Sequence, residues 1–529
     1  MIWMSPYLQG KIIVLLILTL CSEDTHMVVR LDATKSQRRH RRRKRAAAMQ
    51  CSLSAIRKIT GATPHGYVEE HLTPFGGVLP LEKLLDALEV ESAFTEHFVE
   101  PARTPELGHW RMVKGMINLQ FIGLTRLYHF TYVKDDAMVK GILHMSKLPA
   151  VSTFWRCLNS YGLEQDRSLL KLTAVLRERA WRSLGFDKQH QHLHVDLDTT
   201  VKTVYGDKEG ARKGHNRQHR GKKGLRPVVA FIAETKEYLA GMQREGKTLS
   251  GAEAKNFLGT IRELLPSSIK KVTLRADAEF FSWKAVQQAR ALGFDYIFAV
   301  KKTQPQFNEN EWYNVDGDEP IQYNSTVYKP PSWPSACRFV SMRIRKDPND
   351  PKNRQLQIFE DDNYLYRTFA TSREAAAHRV IAEYDDRAGA EKLISEMHHE
   401  GVAAIPSKHF APNGAFLQIA MLTYNLWRQV KAFANRPPED SWSRNTNRVS
   451  RLRLLWLAAK VNYHGEQTQI KYSAFLPVRP TLENLFCRLD RLRDDRRVWK
   501  SPVPALAARY LRPREQDRIV HKILCTSSG

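Results

Sequence analysis

Apolar and polar positions change rhythm three times along this 529-residue chain. From about residue 50 to 185 the spacing is helical. Leu81–Leu88 is amphipathic, and Lys134–Leu143 and Gln165–Leu184 read as further helices. Ser152 and Thr153 form an N-cap pair ahead of Arg156. A helix, a short turn and a capped helix fit both a packing hairpin and a DNA-reading helix-turn-helix. From 192 the period shortens to two. Strands are predicted over His192–Thr200, Val201–Gly206, Pro227–Thr235 and Glu237–Gly246, followed by helix Ala252–Leu265, strand Lys271–Ala276, helix Ser282–Leu292 and strand Asp295–Lys301. Strands followed by β-α-β alternation define an α/β class, a mixed sheet with flanking helices.

The rhythm breaks again over 303–370, where prolines and alternating runs such as Cys337–Arg345 predict a β-rich insertion. Thr371-Ser-Arg-Glu374 fits a capping box, opening a helix to about His399. Ala415–Ala434 is apolar enough to be a core helix. Residues 435–447 read as a polar linker, and helices are predicted again at Arg451–Lys460 and near Thr481–Arg493.

The first fifty residues differ from the rest. The apolar run Ile12–Leu20 is too short for the ~20 residues of a membrane span, and no small-x-small cleavage site follows it. A start at Met27 or Met49 explains this segment better than export does. The run Arg38–Arg45 predicts a flexible polybasic arm.

The net charge of +26 calls for a polyanionic partner, either nucleic acid or an anionic membrane surface. The six cysteines are scattered, with no C-x-x-C pair, so a reduced cytoplasmic protein without structural zinc is expected.

Three acids stand in settings suited to phosphoryl transfer. Asp198 and Asp277 each end or follow an apolar, strand-like run, and ligands tend to gather at the C-terminal ends of strands in open α/β sheets. Asp196 and Glu279 compete with them on the same strand faces; Asp198 is preferred because it ends its strand beside Thr199 and Thr200. The third acid lies in Tyr384-x-x-Arg387-x-x-x-Glu391. In one continuous helix, Tyr384, Arg387, Glu391 and His398 fall at roughly 0°, 300°, 340° and 320°, a single narrow face. Alone, Glu391 would read as a solvated helix acid; the shared face singles it out. Hard carboxylate oxygens of this kind suit a pair of divalent cations such as Mg²⁺. After the first acid, a glycine-rich basic segment carries Lys208, Arg212, Lys213, Arg217, Arg220, Lys222, Lys223 and Arg226. These side chains fit either a groove of phosphate contacts or a solvated loop.

With these pieces in place, the chain resembles the DDE transposases of bacterial insertion sequences, in the branch with a Y-(2)-R-(3)-E-(6)-K signature. That signature reads Tyr384, Arg387, Glu391 and then His398 in place of lysine. Asp198 in Asp-Leu-Asp-Thr-Thr and Asp277 in Leu-Arg-Ala-Asp match the first two acids. Further similar features are Glu209-Gly-Ala, the upstream stretch from Pro149 to Arg156, and Asn413 with Tyr424-Asn-Leu426. The resemblance implies an RNase H-like catalytic core in two parts, 186–302 and 371–434, split by the insertion at 303–370. It implies a DNA-end-binding region at 50–185 and a basic C-terminal region at 435–529, with 1–49 a basic arm or a mis-assigned start.

It further implies catalysis and metal binding by Asp198, Asp277 and Glu391 with two Mg²⁺ ions (Mn²⁺ substituting), and DNA contacts by Tyr384, Arg387, His398, Arg156 and the basic segment. The partners implied are double-stranded element ends and target DNA, bound by a homodimer on the nucleoid. Two departures stand out. His398 is a full phosphate partner only when protonated, and Glu279 adds a negative charge beside the expected metal site.

Overall fold

A computed structural model describes residues 35–54, 59, 61–214, 219–300, 305–315, 320–345, 364–435, 442–465 and 467–494. The chain forms two compact units, Met1–Glu69 and Glu70–Gly529. In the first, the polybasic run is not a flexible arm but part of a helix, Lys35–Ser54. Among the described residues no helix is long and apolar enough to cross a membrane; Ile12–Leu20 lies outside them.

The second unit is organised by one eight-stranded sheet. Its strands are β1 (His192–Thr199), β2 (Val228–Ile232), β3 (Tyr238–Met242), β4 (Lys271–Ala276), β5 (Asp295–Ala299), β6 (Ile321–Tyr328), β7 (Cys337–Arg345) and β8 (Tyr364–Thr371). The order across the sheet is β6-β7-β8-β5-β4-β1-β2-β3. β1, β4 and β5 run parallel, and the remaining neighbours pair antiparallel. The segment expected to be β-rich contributes three strands among the described residues. Its three strands extend the same sheet, because β8 pairs with β5 from Phe369↔Ala299 to Thr371↔Ile297.

The parallel strands are connected by helices Gly251–Leu264 and Trp283–Ala291, both started by serine N-caps, Ser250 and Ser282. The capping box at Thr371–Glu374 does not form. Thr371 ends β8 with its hydroxyl on the Tyr296 carbonyl, and Ser372 donates to Asp295. The helix starts only at Ala377. Upstream, Ser152 and Thr153 likewise cap nothing: that helix spans Val151–Asn159 behind Ala150.

Helix α1 (Leu163–Leu184) and helix α4 (Phe410–Ala434) join the helical region to the sheet; between them in sequence lie α2 (Ala377–Asp385) and α3 (Ala388–Met397). α4 is buried on nearly every side, which explains its all-round apolar sequence. Its polar residues clamp backbone: Asn425 exchanges two hydrogen bonds with Tyr238, and the Tyr424 hydroxyl donates to the Lys236 carbonyl. From α1, the buried Arg177 donates to the carbonyls of Leu264, Tyr238 and Leu239. Near the C-terminus, the expected helix at Arg451–Lys460 gives way to a hairpin, Ala459–His464 with Gln467–Tyr472. Only Arg451–Leu455 is helical there, as a single π turn. The helix predicted near Thr481–Arg493 spans Arg479–Asp494.

Candidate active site

Asp198 and Asp277 emerge from neighbouring parallel strands. Leu197 pairs with Ala276, so the residue after each is an aspartate at the same end of the sheet. The carboxylates act on one another's charge. Burial, then repulsion from Asp277, pushes Asp198 up to about 6, against the opposing pull of Arg387. Arg387 Nη2 donates to Asp198 Oδ2 at 2.9 Å and to the Leu197 carbonyl at 2.8 Å, while the Thr199 amide donates to Asp198 Oδ1. Burial works against the guanidinium charge, but Asp198, Tyr384, Asp196 and Asp277 around it outweigh burial and raise its pKa. Its Nε–H is buried and unpartnered, a donor aimed at an acceptor not supplied by the described residues. Tyr384 packs on Phe369 with ring centroids 4.4 Å apart, below the Arg387 guanidinium at 5.8 Å.

The two competing acids are committed elsewhere. Asp196 is buried and forked onto Arg275 at 2.7 and 3.0 Å, and Arg275 also donates to the Glu383 carbonyl, one residue before Tyr384. Glu279 accepts from Arg226 at 2.6 Å, from the Thr199 hydroxyl at 2.7 Å and from the Leu249 amide at 2.7 Å. Its charge is thus matched rather than loose beside the aspartates. Arg226 serves this acid, not an open groove.

The continuous helix of the signature is broken. α2 ends at Asp385 and α3 begins at Ala388, with Arg387 in the junction. Tyr384 and Arg387 turn toward the strand ends, whereas Glu391 is exposed and makes no hydrogen bond or ion pair among the described residues. No set of three or more His, Cys, Asp and Glu side chains among them is arranged to hold a metal ion. The structure brings Asp198, Asp277, Arg387 and Tyr384 together, and Glu391 is exposed on α3.

His398 stands within a short π turn and bonds Thr200 through Nε2 at 2.5 Å. Burial, with Lys202 and His399 nearby, lowers its pKa to about 4, so the ring is neutral at physiological pH. Lys202 escaped the sequence reading: it is buried, its Nζ has no partner among the described residues, and burial lowers its pKa to about 7. Its only signal was a lysine among apolar strand residues.

The glycine-rich basic segment folds as a small sheet of Lys202–Thr203, Lys223–Leu225 and Arg212–Lys213. Its glycines serve close packing. A Cβ on Gly246 would lie 2.2 Å from the Gly224 carbonyl, and one on Gly214 would lie 2.5 Å from the Gly246 carbonyl. Arg212, Lys213, Arg220, Lys222 and Lys223 are exposed; Arg217 lies outside the described residues. Arg212 pairs with Glu245 and Lys223 with Asp207. Arg156 is exposed on its helix, and its guanidinium leans on the Thr153 hydroxyl.

Residues 69–494 match the family model described as transposase DDE domain group 1, and the chain belongs to that family of DDE transposases. A comparison with curated proteins finds no match. Among solved structures, the chain is similar to the piggyBac transposase synaptic complex with hairpin DNA, at 11% identity and a TM-score of 0.36, covering 86% of this chain and 87% of that one. It is also similar to the Mos1 strand transfer complex, at 12% identity and a TM-score of 0.15, covering 55% of this chain and 72% of that one. These likenesses are too distant to align individual side chains.

Proposed function

We propose that this protein binds the ends of its own insertion sequence and catalyses metal-dependent DNA cleavage and strand transfer. The observation that carries the reading is the adjacent pair Asp198 and Asp277, with Arg387 bonded to Asp198 beside Tyr384, in a chain of the DDE transposase family. A sheet whose parallel strands β1, β4 and β5 are flanked by antiparallel β2 and β3 supports an RNase H-like core. The two aspartates offer hard oxygen donors suited to a divalent cation, Mg²⁺ or Mn²⁺. Bound there, such an ion polarises the scissile phosphate and makes an attacking water or 3′-hydroxyl more acidic.

The chain's own residues do the positioning. Arg387 has an N–H to spare for a phosphate oxygen, and a planar guanidinium suits that contact. Tyr384 backs the guanidinium and shields the pair from water. The exposed cations Arg212, Lys213, Arg220, Lys222 and Lys223 follow the backbone of double-stranded DNA, with Arg217 and Arg156 contributing. Pairing two element ends calls for a homodimer, acting at the nucleoid in the cytoplasm.

One observation favours a second reading, a transposase-derived DNA-binding protein without catalysis: among the described residues no three acidic or histidine side chains are arranged to hold a metal ion, and Glu391 is exposed. In the catalytic reading, α3 carries Glu391 to the aspartates when DNA and metal bind. Incubating labelled DNA bearing the gene's flanks with Mg²⁺ separates the two. Ends with 3′-hydroxyls at an inverted-repeat boundary, absent with Asp277→Ala and Glu391→Ala, establish the transposase. Tight binding to those flanks with no cutting in Mg²⁺ or Mn²⁺ establishes the binding protein.

A further inference from the structure

The C-terminal hairpin, Ala459–His464 with Gln467–Tyr472, has two chemically distinct faces. Its rungs run from Ala459↔Tyr472 to His464↔Gln467, and residues directly opposite one another share a face. Ala459, Val461, Ile470 and Tyr472 form the inner face, the first two buried and the others half-buried. The Tyr472 hydroxyl anchors it by donating to the Gly76 carbonyl. The alternate rungs form the outer face: Lys460 with Lys471, Asn462 with Gln469, and His464 with Gln467. Every side chain the two strands place there carries a hydrogen-bonding group, and none is acidic. Glu466, in the turn, lies outside the described residues.

This outer face is open. The neighbouring strand, Leu72–Thr73, pairs only with Lys460 and Ala459, so Asn462 and His464 lie beyond its end. Among the described residues no strand pairs with the other edge, Gln467–Tyr472. Lys460 is matched by Glu70. The other five side chains make no hydrogen bond or ion pair among the described residues, and all but the half-buried Asn462 are exposed. Protecting a sheet edge calls for charge, which carboxamides do not supply. Each carboxamide instead carries a donor and an acceptor side by side, the pattern that matches adenine N6 and N7 in the major groove of DNA.

The dimensions agree. The major groove is ~12 Å wide and admits a two-stranded β-ribbon. Rungs on one face are roughly 6.8 Å apart, close to two base steps of about 3.4 Å each. Asn462 with Gln469 and His464 with Gln467 thus match base pairs two steps apart. Lys471, one outer rung further back, is placed for a phosphate. Building on the end-binding role proposed above, we propose that this outer face enters the major groove of double-stranded DNA. There Asn462, Gln467 and Gln469 read A·T pairs of the element ends, and Lys471 holds the phosphate backbone.

Fluorescence anisotropy of the full chain tests it, with labelled duplexes of the gene's flanks and a scrambled duplex of the same composition. Wild type is expected to prefer the flanks. Asn462→Ala/Gln469→Ala should cut that preference at least about tenfold, with affinity for the scrambled duplex kept within about twofold. Lys471→Ala should weaken both duplexes alike and lower the salt slope by about one. Replacing flank adenines by 7-deaza-adenine removes the N7 acceptor and should cost wild type a comparable share of its preference, an arm that needs no variant to fold. If wild type does not distinguish flanks from scramble, the end-binding role fails and this inference with it. If wild type distinguishes them and the double variant does so equally, or loses affinity for both alike, only the hairpin's assignment is overturned. Tolerance of 7-deaza-adenine at every flank adenine overturns it as well.

Discussion

Strand β1 carries ionisable side chains at three levels, and they are held in different ways. At its N-terminal end His194 sits between Glu234 at 2.8 Å and Glu383 at 3.0 Å. In the middle, Asp196 and Arg275 form a closed pair, each 3% exposed at the side chain. At the C-terminal end, Arg387 holds Asp198 while Asp277 stands alongside, and one guanidinium N–H is unspent. The first two levels are complete without a ligand. The third sets two acids side by side with an arginine that bonds Asp198 and keeps an idle donor, the arrangement expected where a substrate or an ion completes the set. Acids two residues apart on one strand thus serve stability and chemistry separately.

The sharpest way to break this contrast is to delete one acid at each level. Asp277→Ala is expected to reduce cleavage of flank DNA by about 10³-fold, in the range for removing one electrostatic partner of a transition state. Its affinity for the same DNA should stay within about threefold (~0.7 kcal/mol) of wild type. Asp196→Ala should act oppositely, because it strands a buried guanidinium. The expected cost is about 3–5 kcal/mol in denaturant unfolding, with cleavage per folded molecule largely kept. If Asp196→Ala unfolds at the wild-type midpoint while losing cleavage, the roles of the two aspartates are reversed.

Much of the sheet was legible because the strands of the parallel core carry short alternating apolar runs, and the two strand-end acids followed from where those runs stop. Partnerships were not legible. Asp196 meets Arg275 through register across β1 and β4, which a single sequence does not encode. The single helix of the signature is interrupted at Asp386–Arg387, with no proline or glycine at either position to signal it. The hairpin at Ala459–Tyr472 was mistaken because Leu454–Ala459 is apolar at nearly every position, which fits a helix and a strand end equally. The basic glycine-rich segment fitted a phosphate groove or a solvated loop, yet Gly214 is required where backbone touches backbone.

The N-terminal level gives a smaller effect with a distinct pH signature. His194 has its pKa raised to about 9, first by its hydrogen bond to Glu234 and then by that to Glu383. A cation whose folded pKa exceeds its unfolded value stabilises the fold fully below the unfolded value, about 6.5. That stability is lost as pH rises through the folded value. His194→Gln should therefore cost on the order of 2 kcal/mol at pH 6, and the gap from wild type should close between pH 8 and 10. A constant gap across that range would mean that packing, and not the ion pairs, holds this end of β1 against α2.

His398 should give the smallest effect on DNA at neutral pH, and it tests whether a ring at the signature's last position can act as a charge. Held on Thr200 with its pKa lowered to about 4, it is neutral at both pH 6 and pH 8. His398→Gln keeps a hydrogen-bonding group toward Thr200, so affinity for flank DNA should change by no more than about twofold (~0.4 kcal/mol) at either pH. The two proteins part only in acid. Because the folded imidazole resists protonation, wild type loses stability as pH falls from 6.5 toward 4, whereas the variant lacks that component. If wild-type affinity rises between pH 8 and pH 6 and the rise disappears in His398→Gln, the ring protonates against a phosphate. The last signature position would then belong with Arg387 in the contact surface, and not with Lys202 in the buried wall behind it.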